Sequence, residues 1–137
     1  MDKRIRDSFD KQTMMQTLGA KIAKVGDGTV TITAPILPSS RQQHGVAHAA
    51  LSFAIGDSAA GYAALTLIPE GSEVMTAEMK INLLAPGAGD LLRATGKVVK
   101  PGRRLIIVTA EIHAITGDQE KLVALLQGTM VPVTAAV

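Results

Sequence analysis

No cysteine occurs in the 137 residues, which removes disulfides, thiolate metal sites and a cysteine nucleophile together. Tryptophan is missing as well, and the aromatic side chains are only Phe9, Phe53 and Tyr62. Basic residues are scattered (Lys3, Arg4, Arg6, Lys97, Lys100, Arg103, Arg104) and the net charge is +2, so a nucleic-acid partner is not expected. The stretch from Met1 to Gln12 is charged and polar with no apolar run, so it does not read as a secretory signal, and a cytoplasmic location is the expectation. Three histidines without a carboxylate at ligand spacing make no metal site, and no cofactor is expected.

What is present is the composition of an ordinary globular chain, 47% hydrophobic and 19% charged, at a length suited to one domain spanning 1–137. Ile5 to Leu18 carries apolar residues among charges and is stopped by Gly19, which predicts a short amphipathic N-terminal helix. Lys21 to Lys24 and Thr29 to Ala34 read as a hairpin turned by Gly26, Asp27 and Gly28. A loop follows to about Ala47. From His48 to Thr66 the chain is rich in Ala and Leu and apolar on nearly every side, which predicts a buried helix. A membrane span is the rival reading, opposed by Asp57 at mid-length, so no membrane partner is expected.

Four strand-like runs complete the chain: Val74 to Leu84, Asp90 to Val99, Arg104 to Ile115 and Lys121 to Val133, joined by short Gly- and Pro-containing turns. In the first of these, strict alternation puts Met75, Ala77, Met79, Ile81 and Leu83 on one face and Thr76, Glu78, Lys80 and Asn82 on the other. A lone apolar helix is hidden only if something wraps it. The predicted fold is therefore α+β, a curved antiparallel sheet of five to six strands around one long central helix, the hotdog arrangement. Apolar surface left over on such a unit predicts a dimer, and a homodimer assembling to a homotetramer is the expectation.

Chemistry centres on Asp57, because a carboxylate in an apolar helix must be paired, hydrogen-bonded or protonated. It could equally cap a loop backbone or pair with an Arg of a neighbouring subunit. Just before the helix lies Gln42-Gln43-His44-Gly45-Val46-Ala47-His48-Ala49-Ala50. Unpaired amides at a helix start, those of Ala49 and Ala50, can polarise a carbonyl. His48 is open between a helix-capping and a site role, and His113 reads as a surface residue. Arg103 and Arg104 after Pro101-Gly102 suit phosphate by their planar forks, or form a solvated turn. Met14, Met15, Phe53, Met75 and Met79 could line an adaptable pocket, or be plain core.

These residues carry a resemblance. Gln42, Gly45, His48, the small pair Ala49-Ala50 and then Asp57 resemble the signature of PaaI-like hotdog thioesterases, N-x-x-G-x-x-H-G-G followed by six residues and D. The small, glycine-containing run Ser58-Ala59-Ala60-Gly61 after the Asp is similar too. The resemblance implies hydrolysis of an acyl-CoA, with Asp57 as general base or nucleophile and the Ala49 amide as oxyanion hole. It further implies His48 shaping that hole, Gln42 placing the carbonyl or water, and Thr76 holding the water. Gly45 and Ser58 fall beside the substrate, and the basic residues at 103 and 104 fall near the phosphates of coenzyme A. Asp and oxyanion hole come from different subunits in that family, which implies a catalytic dimer. This chain departs from the pattern at Gln42 for Asn, Ala49-Ala50 for Gly-Gly and Thr76 for Ser. A hotdog hydratase or dehydratase, or a non-catalytic acyl-CoA binder, are the alternative functions.

Overall fold

The computed structural model describes residues 2–134. Two short helices, α1 (Asp2–Asp10) and α2 (Thr13–Leu18), stand where a single N-terminal helix was predicted. The break has a local cause: Lys11 and Gln12 donate to Ser8 and Phe9, three residues back, and Gln12 turns extended at φ −82°, ψ 96°. The hairpin β1 (Lys21–Gly26) and β2 (Thr29–Pro35) follows, turned at Asp27 and at Gly28, whose φ of +70° suits glycine. A loop with one 3-10 turn at Pro38–Ser40 leads to the central helix α3 (Ala49–Leu65). Strands β3 (Ser72–Leu83), β4 (Leu91–Pro101), β5 (Ile106–Thr116) and β6 (Gln119–Thr134) complete the chain.

All strand pairs are antiparallel and their order is β1-β2-β4-β5-β6-β3, so β3, the strand that directly follows α3, closes the far edge of the sheet. The sheet wraps α3, whose Leu51, Ile55, Ala59 and Ala60 are buried in one core with Ile32, Leu92, Ile112, Leu126 and Met130. Contact is so close at Gly96 of β4 that a Cβ there would lie 2.3 Å from the carbonyl carbon of Ala59. One face of α3 is left uncovered. Ala50 and Phe53 are exposed and Ala54, Asp57, Ser58 and Gly61 half-buried, a stripe at helical three- and four-residue spacing.

The alternation predicted for β3 needs a correction. Thr76 pairs with Met130 but Glu78 with Thr129, so Ala77 is an extra residue, a β-bulge. The bulge resets which side chains face inward. Val74 and Thr76 point to α3 before it, and Met79 and Ile81 pack on the core after it, while Met75 is 63% exposed. Gly128 of β6 lies opposite, where a Cβ would sit 2.4 Å from the Glu78 carbonyl oxygen. Of the candidate pocket methionines, Met15 and Met79 are core and Met14 is exposed. His113 is mostly covered rather than on the surface, with its Nε2 4.0 Å from Glu111.

Candidate active site

The loop before α3 is fixed by its own backbone. The amide of Ala47 donates to Gly87, that of His48 to Ser40 and that of Gln42 to Val46, while the Arg41 guanidinium holds the carbonyls of Ile36 and Gly45. Gly45 turns this loop at φ +85°. The Gln42 side-chain oxygen accepts from the His44 amide, which folds the longer side chain back onto its own loop.

His48 is the N-cap of α3, extended at φ −65°, ψ 143°, and its Nδ1 accepts from the Ala50 amide at 2.9 Å. That bond leaves Ala49 as the first helical amide, with no acceptor among the described residues. Gln42, His48 and Ala49 share the wall of an open pocket of about 670 Å³ with Leu83, Leu84 and Pro86. Its size suits a small-molecule ligand.

Asp57 opens on a different hollow. Its Oδ1 accepts from Thr76 Oγ1 at 2.7 Å, a contact that exists because the Ala77 bulge turns Thr76 inward. Burial raises the Asp57 carboxyl above its ordinary range, and the Thr76 hydroxyl partly opposes that rise. Ser58, beside it, donates weakly to Gln12 Oε1 at 3.5 Å. The residues that the sequence did not single out are also here: Gln12 Nε2 donates to Tyr62 Oη at 2.8 Å, and Ser8 Oγ lies 3.1 Å from the same oxygen. The only sign of them in the sequence is Tyr62, a polar-tipped ring on the apolar helix four residues after Ser58.

Eight residues separate Ala49 from Asp57 on one straight helix, a rise of about 12 Å. One copy of the chain therefore holds the amide and the carboxylate in two separate hollows. Arg103 and Arg104 lie farther off, exposed in the β4–β5 turn, where Arg103 borders a third hollow with Leu67 and Pro69 past the end of α3. Among the described residues no three His, Asp or Glu side chains gather to hold a metal ion, and no helix is long and apolar enough to cross a membrane.

A family model of the thioesterase superfamily matches residues 44–121, from the loop before α3 into β6. A thioesterase family protein from Silicibacter pomeroyi is 38% identical, with 97% of this chain and 98% of that one covered and a TM-score of 0.94. The PaaI protein from the phenylacetic acid degradation operon of E. coli is 26% identical, with 93% and 89% covered and a TM-score of 0.83. A variant of the phenylacetic acid degradation protein PaaI from Thermus thermophilus is 26% identical, with 88% and 98% covered and a TM-score of 0.76.

Proposed function

The chain belongs to the thioesterase superfamily as a PaaI-like hotdog protein, and from that premise we propose that it hydrolyses an acyl-CoA to the free acid and coenzyme A. The observation that carries this reading is that one helix holds a start amide without an acceptor among the described residues, Ala49, and a desolvated carboxylate, Asp57, whose Oδ1 is bonded to Thr76 while Oδ2 has no partner among those residues. The thioester oxygen rests on the Ala49 amide of one subunit, and Asp57 of a second takes a proton from water as it attacks the carbonyl carbon. The tetrahedral intermediate then expels the coenzyme A thiolate. Direct attack by Asp57 as a nucleophile is the other use of the same carboxylate.

A second copy is needed because the two groups lie about 12 Å apart along one helix, and the uncovered stripe on α3 gives that copy a place to sit. Ala54 and Ser58 on the stripe are small enough for two helices to approach closely. The Ala49 amide donates as a glycine amide does at a helical φ, so this departure leaves the oxyanion hole intact. Gln42 lines the same pocket and its side-chain amide places the carbonyl, with His48 shaping the wall and Gly45 turning the loop beside it. Arg103 and Arg104 meet the coenzyme A phosphates.

The test is thiol release from a panel of aromatic and straight-chain acyl-CoAs. Asp57→Asn should lower kcat by about 100- to 10,000-fold while the protein stays folded. An unchanged rate on every substrate would sink the reading, and tight acyl-CoA binding without thiol release would make the chain a binder instead.

A further inference from the structure

Beyond Asp57 the α3 wall continues into a hollow of about 170 Å³, closed at its far end by α1 and the Gln12 kink. Hydrolysis at Asp57 gives no reason for the part lined by Ser8, Gln12 and Tyr62. Three features say what it is built to accept. The first is a surplus hydrogen. Gln12 donates to Tyr62 Oη, and Tyr62 and Ser8 share one oxygen–oxygen contact, yet each hydroxyl carries a proton and neither has another acceptor among the described residues. Whichever hydroxyl donates to the other, one O–H remains free beside the hollow.

The second feature is Gly61, midway between Asp57 and Tyr62. Glycine is the least favourable ordinary residue inside a helix apart from proline, and a packing reason is visible at Gly56, where a Cβ would lie 2.9 Å from Leu126. At Gly61 a Cβ would meet only Met130 and Val74, at 3.7 to 4.0 Å, which is ordinary contact. Packing within the subunit does not require glycine there. What its missing side chain leaves is room. The third feature is charge: Asp57 and Glu73 are the charged groups on the wall, both acidic, so a second anion is disfavoured.

We propose that this hollow receives the far end of the acyl group and selects a short, uncharged acyl chain that carries a hydroxyl or keto oxygen near its tip. The free proton of the Tyr62–Ser8 pair donates to that oxygen. At about 170 Å³ the hollow is much smaller than the 670 Å³ pocket beside Ala49, so the chain that fills it is short. Tyr62, five residues past Asp57, lies about 7.5 Å farther along the axis, so the oxygen belongs well beyond the carbon next to the thioester. The inference rests on the acyl-CoA hydrolysis proposed above.

The experiment compares kcat/KM for CoA esters of acetate, hexanoate, chain-end hydroxypentanoate, glutarate and decanoate. Hydroxypentanoyl-CoA should exceed the isosteric hexanoyl-CoA by about tenfold, and glutaryl- and decanoyl-CoA should be poor. Tyr62→Phe should remove most of that preference. Gly61→Ala should lower hexanoyl relative to acetyl turnover about fivefold with the dimer intact on gel filtration. Equal rates for hydroxypentanoyl and hexanoyl esters, a preference that survives Tyr62→Phe, or a Gly61→Ala variant that dissociates without changing length preference would each overturn the subsite. If no ester releases thiol, hydrolysis itself has failed. Equilibrium binding of the hydroxypentanoyl and hexanoyl esters to the same variants then decides the subsite, which falls if the two bind alike.

Discussion

Asp57 carries two opposing demands. Burial makes its ionised form costly, yet the proposed abstraction of a proton from water requires that form. A carboxyl raised in the folded state contributes stability while it is protonated and loses that contribution as pH rises through its folded pKa. Asp57→Asn should therefore melt at a higher temperature than the wild type at neutral pH, and the gap should close below the ordinary carboxylate range. A scan of melting temperature against pH reads both limbs, and a gap that persists in acid would contradict the account. Among the described residues, Thr76 is the neighbour that favours the charged form, through its 2.7 Å bond. Thr76→Val should move the acid limb of the kcat/KM profile to higher pH, and a limb that stays in place would show that the hydroxyl does not tune the carboxylate. At this scale the sequence made Asp57 legible as a charge inside an apolar helix. Ser8, Gln12 and Tyr62 were not legible, because nothing in a linear pattern brings a residue of α1 to a residue more than fifty positions later.

The start of α3 can be tested with little structural damage. Proline is well accepted at the first helical position, and His48 already has the extended backbone that a residue before proline prefers. Ala49→Pro should thus keep the helix and delete only the amide hydrogen, with kcat falling about 100- to 1,000-fold. Circular dichroism and thiol release on the same sample check the two halves of that statement. The extent of α3 was readable to within a residue at each end, since an apolar stretch flanked by His48 and Thr66 leaves few choices. The N-terminal helix was not, because its interruption comes from two local turns at Lys11 and Gln12 without a Gly or Pro to announce them. The face of Thr76 was missed for a related reason: Ala77 is an unremarkable alanine in the sequence, and it becomes a bulge only through the register that β6 imposes. Gly128 was the available clue, a glycine within a strand.

A site shared between copies makes a prediction about mixtures. Asp57→Asn and Ala49→Pro chains, each inactive alone, should regain activity when unfolded together and refolded, because a mixed dimer holds one intact carboxylate facing one intact amide. Random pairing makes about half the dimers mixed with one of two sites whole, so about a quarter of wild-type activity should return. Activity that stays at the level of the separate variants would place both groups in a single subunit. The whole-molecule arrangement was legible in outline, since alternating strands after one apolar helix leave little besides a sheet that wraps it. The strand order was not, because β3 pairs with the last strand and not with its neighbour in sequence. The uncovered stripe on α3 also has an evolutionary consequence. Under the proposed dimer, base and oxyanion amide would be written into one helix of one gene and used across a symmetry axis, so each mutation would arrive at both centres together. Natural selection can then specialise the two only after the gene has been duplicated.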